Sequence, residues 1–219
     1  VWATLSGQSL MNEWIDFNKT YYKFTIGATG PHRISQAQLA ALGLGGVDAA
    51  HFQLWRQGQQ VPLHTSVPAG ALPSNGFIEF FGQANNGEWE SRLYINPEFQ
   101  INERVSLFTD SVAYFLTVNP VGGNLRLNET ANNLSTPLPA EPFFMHKAGV
   151  AFRNSYSPGF AAVVGDFVYS ASYDAGEGYV SGEFRPSAPL NSTLNNLFVA
   201  TGGPDASLYF SAAGRALNT

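Results

Sequence analysis

The strongest constraint on the fold lies between residues 77 and 118, where three short runs of aromatic and β-branched residues are separated by turn-forming residues. Runs of this kind are typical of β-strands. They are Phe77–Gly82, Arg92–Ile95 and Ser106–Val118. Within the last run, residues 112–118 are mostly apolar, which predicts a strand that is covered on both faces. We therefore expect a β core built around this strand.

Similar runs recur along the whole chain and predict an all-β protein. Further strands are expected at 21–26, 32–34, 52–56, 60–63, 167–173, 179–184, 197–200 and 206–211. The sequence predicts two β-sandwich-like domains of Ig-like or jelly-roll type. The first spans 1–127, a proline-bearing linker spans 128–142, and the second spans 143–219. Because a sandwich needs about seven strands, we expect the second domain to be incomplete.

One short helix is expected at residues 35–42, at the end of a sheet. Ser35 is a favourable N-cap, and Gln38 stands three residues later, as a capping box requires. Gly43 then follows, where a left-handed residue ends a helix. These three residues are predicted to have a structural role.

The composition excludes several classes of function. The chain has 219 residues, a net charge of −5 and no cluster of basic residues, which argues against a nucleic-acid partner. It has no cysteine, so disulfides, thiolate metal sites and a cysteine nucleophile are excluded within it. No apolar run reaches the roughly 20 residues of a membrane span. Charged residues are only 12% of the chain, and Gly, Pro and Asn are plentiful, as in exported β-proteins.

No catalytic constellation is found in the sequence. The four histidines have no metal-ligand spacing, and no G-x-S-x-G motif is present. The carboxylates of Glu88 and Glu90 are expected in a solvated turn. We predict no cofactor, with calcium at Asp174 and Glu177 as the open alternative, since calcium binds carboxylate oxygens.

Two aromatic residues beside loops, Trp89 and Tyr179, are the candidate ligand-binding residues. Exposed aromatic rings stack on sugars, so a carbohydrate- or surface-binding module remains an alternative function. In that case a surface glycan would be the partner.

Several motifs in a fixed order resemble a known family. In the first half they are Tyr22-Lys-Phe-Thr-Ile26, His32-Arg-Ile-Ser35, Gln57-Gly-Gln-Gln-Val-Pro62, Phe77-Ile-Glu-Phe-Phe-Gly82, Leu93-Tyr94, Ser106-Leu-Phe-Thr-Asp110 and Tyr114-Phe-Leu-Thr117. In the second half they are Glu141-Pro-Phe-Phe144, Tyr169-Ser-Ala-Ser-Tyr173 and Gly176-Glu-Gly-Tyr179. The set resembles the non-catalytic N-terminal region of gingipain-like cysteine peptidases of Bacteroidetes. It is especially similar to the large cell-surface members that include the sortase of the type IX secretion system.

This resemblance implies a secreted or cell-surface multidomain peptidase of which the chain is the N-terminal, non-catalytic part. The family's catalysis uses a His–Cys pair, and a chain without cysteine cannot supply it. The resemblance therefore implies no enzymatic activity here. It implies a structural role, with the downstream catalytic domain of the same polypeptide or the secretion machinery as partner. Tyr179 departs from the pattern, which has Trp at that place.

Overall fold

A computed structural model describes residues 12–131, 135 and 139–214. In this part of the chain, antiparallel strands dominate and helices are few and short, so the predicted all-β class is confirmed. Two compact units are present: the first is formed by residues 1–85 and 110–131, and the second by residues 86–109 and 132–219. Six residues of the predicted linker, 132–134 and 136–138, lie outside the described residues. The predicted domain limits at 127 and 143 stay a prediction, because compactness does not measure independent folding.

The first unit contains seven strands in two sheets. A four-stranded sheet has the order β1-β7-β3-β4, and a three-stranded sheet has the order β2-β6-β5. The strands are β1 Tyr22–Ile26, β2 Gly30–Ser35, β3 Phe52–Arg56, β4 Gln59–Val61, β5 His64–Thr65, β6 Phe77–Gly82 and β7 Val112–Val118. All pairings of these strands are antiparallel.

Strand β7 lies inside the four-stranded sheet, where the apolar run of residues 112–118 predicts a covered strand. Its Leu116 pairs with Tyr22 of β1 on one side and with Leu54 of β3 on the other. On one face, Tyr114 and Leu116 are buried. On the other face, Phe115 contacts the ring of Trp14 at 5.4 Å between centroids. Both faces of β7 are therefore covered.

Both sheets contribute to one hydrophobic cluster. Phe80 of the three-stranded sheet contacts Tyr114 of the four-stranded sheet, with 5.5 Å between ring centroids. Phe24 of β1 contacts both rings at 5.9 Å. The other buried members are Ile26, Leu39, Leu44, Ala49, Phe52, Leu54, Leu63, Leu72, Ile78 and Leu116. Every buried hydrophobic member of this cluster belongs to the first unit.

The predicted helix is present as α1, Gln36–Ala41. The Gln38 amide donates to Ser35 Oγ, and the Ser35 amide donates to Gln38 Oε1, which is the reciprocal pair of a capping box. Gly43 has φ +80°, in the left-handed region. Leu39 is the buried residue of the helix and attaches it to the core.

Several predicted strands are wrong. Residues 88–93 form a 3-10 helix instead of the strand expected at 92–95. Gly87, with φ +78°, turns the chain into that helix, and a run of aromatic residues cannot reveal this turn. At 106–108, the Ser106 hydroxyl accepts the amides of Phe108 and Thr109 and forms a turn. The segments 197–200 and 206–211 are described without regular structure.

The described part of the second unit has short elements only. It contains the 3-10 helices Glu88–Leu93 and Pro97–Phe99 and the strands β8 Ser155–Pro158, β9 Ala161–Val164, β10 Asp166–Tyr169 and β11 Glu177–Val180. These strands form two separate two-stranded ribbons, β8 with β11 and β9 with β10. Among the described residues, no helix is long and apolar enough to cross a membrane.

Candidate functional site

The candidate site residues Trp89, Tyr179, Asp174 and Glu177 all belong to the second unit. The segment 86–109 is folded by local polar contacts that begin at Gly87. A Cβ atom at this glycine would lie 2.9 Å from the carbonyl oxygen of Val105, so the chain packs closely there. The buried Gln100 side chain donates to the Gly87 carbonyl at 3.1 Å. These contacts hold the start of the 3-10 helix that carries Trp89.

Glu90 is buried, with 7% of its surface exposed, although the sequence predicts a solvated turn. Its Oε1 accepts the hydroxyl of Ser106, and its Oε2 accepts the amide of Leu107 at 2.7 Å. A buried carboxylate is stable only when its oxygens are hydrogen-bonded. Glu90 is therefore a structural residue that joins the two ends of the 86–109 segment.

Tyr94 connects this segment to strand β11. Its hydroxyl donates to the Glu177 carbonyl at 2.9 Å, and its ring contacts Tyr173 at 5.3 Å between centroids. Burial, reinforced by the negative charges of Glu177 and Glu90, raises the pKa of Tyr94 to about 12. Tyr94 stays neutral and remains a hydrogen-bond donor over the physiological pH range.

The two carboxylates predicted to bind calcium already have protein partners. Glu177 Oε2 accepts the Asp174 amide at 3.1 Å, and Glu177 Oε1 accepts the Tyr156 hydroxyl at 3.2 Å. Asp174 Oδ1 accepts the Ala175 amide at 2.6 Å. Among the described residues, no group of three or more His, Cys, Asp or Glu side chains is arranged to hold a metal ion. These contacts close the 174–177 loop, and a calcium site there stays a prediction.

Tyr156 reinforces the same loop. Its ring makes an edge contact with Tyr179 at 5.3 Å between centroids. Its pKa is raised, first by burial and then by the charge of Glu177, so its hydroxyl keeps the proton that it donates to that carboxylate. The carboxylate is thus bound to a neutral donor and not to a cation.

Trp89 and Tyr179 are both partly exposed, at 42% and 37%. The guanidinium of Arg92 lies over the Trp89 ring, 4.5 Å from its centroid, and occupies one face. Tyr179 is held at its edge by Tyr156. No ring contact joins Trp89 to Tyr179 in the part of the chain that the structure describes, so a common stacking platform stays a prediction.

An open cleft of about 520 Å³ lies within the segment 86–104. Its volume is in the range of small-molecule sites. Its lining consists mainly of polar residues, three of them acidic: Asn86, Glu88, Ser91, Pro97, Glu98, Gln100, Glu103 and Arg104. Three carboxylates against one guanidinium suit a neutral polar or cationic ligand better than an anion.

Three of the histidines lie in the first unit and contact its framework. His32 is stacked on Phe80, and its Nε2 lies 2.8 Å from the Ala28 carbonyl oxygen. His64 lies against the Phe77 ring, with Nδ1 3.9 Å from a Glu129 oxygen. The His51 carbonyl accepts the Asn119 amide.

The sequence placed Glu90 in a solvated turn although Glu90 is buried, and it did not identify Tyr94 as a site residue. Their partners Ser106 and Glu177 lie 16 and 83 residues away along the chain. No local motif indicates such pairings. Only the clustering of Glu88, Trp89 and Glu90 in one loop pointed to this region.

Comparison with protein-family models, with curated proteins and with solved structures finds no match for this chain. The resemblance to gingipain-like peptidases therefore remains a prediction from the sequence motifs.

Proposed function

We propose that this chain is the non-catalytic β-region of a secreted or cell-surface gingipain-like cysteine peptidase, and that it positions the catalytic domain of the same polypeptide. The ordered set of motifs motivates the family, and the absence of cysteine assigns catalysis to another domain. The main support for this structural role is that the apolar side chains between residues 139 and 214 are not buried. In this range only Ser157 and Gly178 are buried, and neither carries an apolar side chain.

Nine of the exposed large apolar residues form three short segments, which we call the apolar triplets: 143–145, 197–199 and 208–210. Phe198 is 80% exposed and Val199 is 97% exposed. The other members are Phe143, Phe144, Met145, Leu197, Leu208, Tyr209 and Phe210. Soluble monomers rarely expose so many large apolar side chains together. Burial gives roughly 1.5–3 kcal/mol for each side chain of this size, so covering the triplets would stabilise a domain–domain contact strongly.

The first unit would serve as the rigid part of this arrangement. We propose that it is a β-sandwich, since Phe80 and Tyr114 bring one face of each sheet into the same core. A sandwich of this kind is a rigid scaffold for its own loops. The secretion machinery is a further partner that the family resemblance implies.

The first experiment is to sequence the gene around this chain and to express the whole polypeptide. A reading frame that continues into a domain with a His–Cys pair supports the proposal, and a frame without such a domain contradicts it. Limited trypsin digestion then tests the contact. In the isolated chain, we expect early cleavage after the exposed residues Lys147 and Arg153.

In the whole polypeptide, the same two bonds should be cleaved at least ten times more slowly. Lys23 and Arg33 are the matched controls, because they lie in paired strands of the first unit and should be cut slowly in both forms. Equal cleavage of the two bonds in both forms would contradict the docking role.

A second candidate function is binding of a polar ligand such as a surface glycan. The specific observation is the open polar cleft of about 520 Å³ in the same segment as the partly exposed Trp89. Calorimetry against a glycan set tests it. Binding that is lost in Trp89→Ala or Glu98→Ala, and retained in the surface control Phe81→Ala, would favour this function. No binding to any glycan would remove it.

A further inference from the structure

Strands β9 and β10 form a hairpin that is more exposed to solvent than any other strand pair among the described residues. Phe167 pairs with Val163 and Val168 pairs with Ala162, and no third strand joins this ribbon among the described residues. All four residues of β10 are exposed. Both outer edges therefore present unpaired backbone groups, which favour pairing with another strand.

Apart from the shortness of its strands, the hairpin lacks most of the features that protect natural edge strands. Lysine, proline and bulges normally discourage pairing at an edge, but residues 161–169 contain neither lysine nor proline, and Asp166 is their only charged residue. Large apolar side chains occupy both faces: Val163 and Phe167 lie on one, and Val164 and Val168 on the other. A two-stranded ribbon alone is marginally stable in water, so this hairpin would gain from added strands.

We propose that β10 pairs antiparallel with β10 of a second copy of this chain, which joins two hairpins into one four-stranded sheet. The proposal goes beyond the proposed function and does not depend on it, because the hairpin is separate from the apolar triplets. β10 is preferred to β9 because it carries the aromatic residues Phe167 and Tyr169, whereas β9 begins with two alanines. Aromatic cross-strand pairs stabilise sheets more than pairs with alanine.

The symmetry of such a pair limits its register. Two identical antiparallel strands are related by a twofold axis perpendicular to the sheet, so one residue must face its own copy. If Val168 faces Val168 of the second copy, Phe167 faces Tyr169 and Asp166 faces the hydroxyl of Ser170. If Phe167 lies on the axis, Asp166 faces Val168 and an apolar contact is lost. The first register places apolar residues opposite apolar residues and Asp166 opposite a polar residue. It also keeps the two Asp166 carboxylates apart.

The exposed area agrees with a reversible dimer. Pairing at this edge covers mainly the side chains of β10, of which Phe167, Val168 and Tyr169 are exposed by 45–73%. At about 200 Å² for a whole aromatic side chain and less for valine, they offer roughly 300 Å² per copy. A standard interface buries about 800 Å² per partner. We therefore expect association only at high micromolar concentrations and dissociation on dilution.

Because the chain has no cysteine, a single introduced one reports the contact cleanly. Residues directly opposite in an antiparallel pair have Cα atoms about 4.5–5.5 Å apart, within the range of a disulfide. Val168→Cys should therefore form a covalent dimer under mild oxidation. Phe167→Cys is the matched control, because its copy lies diagonally at about 7–8 Å, and it should stay largely monomeric.

Sedimentation analysis of the unmodified chain gives the second readout. We expect the mass to double between low and high micromolar concentration. Val168→Lys should abolish this increase in mass. Val121→Lys is the control, because Val121 lies in the first unit and is 92% exposed. This variant should still show the increase. Circular dichroism checks that both variants fold. A monomer at all concentrations, polymers larger than a dimer, or equal crosslinking of the two cysteine variants would overturn the proposal.

Discussion

Strand β7 in the first unit and strand β10 in the second are built from the same kinds of residue, yet their surroundings are opposite. β7 has a partner strand on each side, and its Tyr114 and Leu116 are buried. β10 has one partner, and all its residues are exposed. Strand propensity describes a residue that fits a pleated surface. It does not determine whether long-range partners are present to cover that surface.

The two units also differ in how their segments are held. In the first unit, residues distant in sequence share one apolar core, as Phe24, Phe80 and Tyr114 do. In the second unit, the tertiary contacts are mainly polar, such as Tyr94 to the Glu177 carbonyl and Glu90 to Ser106. A hydrogen bond contributes about 1 kcal/mol net, less than a buried aromatic side chain. We therefore expect the first unit to carry most of the stability of the chain.

The largest expected difference concerns two phenylalanines. Phe80→Ala should lower the unfolding free energy of the first unit by about 3–5 kcal/mol, because it leaves a cavity in the core. Phe167→Ala should change the stability of the monomer by at most about 0.5 kcal/mol, since its side chain is exposed. Urea unfolding followed by circular dichroism at low protein concentration measures both. Equal losses of unfolding free energy in the two variants would contradict the difference that we describe between the units.

A smaller loss of stability is expected in the second unit at high pH. The pKa of Tyr94 is raised from 10.0 to about 12 by burial. The unfolded chain then releases this proton first, so the stability that Tyr94 contributes is complete below pH 10 and is lost as the pH rises to about 12. Tyrosinate absorbance, with Tyr94→Phe as the control, measures the transition. A Tyr94 that titrates near pH 10 without loss of structure would contradict the burial account.

The smallest effect is expected at the helix cap of the first unit. Ser35→Ala removes the acceptor for the Gln38 amide and should cost about 1 kcal/mol. Ser35→Thr keeps a hydroxyl acceptor and should lose less. Thermal unfolding of both variants measures the difference. An unchanged melting temperature in Ser35→Ala would mean that the capping box adds nothing to the stability of this unit.

The sequence predicted those features that depend on near neighbours. The capping box at Ser35 and Gln38 needs residues three apart, and the covered strand at 112–118 needs only a continuous apolar run. The strand expected at 92–95 is wrong because Gly87, five residues earlier, starts a 3-10 helix. Its aromatic residue Tyr94 serves as a contact to β11 and not as part of a sheet.

The candidate site could be predicted only in part. The sequence selected Trp89 and Tyr179 for their position beside loops, and both are partly exposed. It could not foresee that Arg92 lies over the Trp89 ring or that Tyr156 donates to Glu177. Such contacts depend on how distant segments pack, and a local pattern of residues does not contain that information.

The most direct test of the central claim, that the apolar core of the described residues lies in the first unit, is amide hydrogen exchange along the whole chain. Amides of β1, β3, β6 and β7 should exchange only by global unfolding and should be protected by several orders of magnitude. Amides between residues 139 and 214 should exchange by local opening within seconds to minutes. Equal and strong protection of both regions in the isolated monomer would contradict the account.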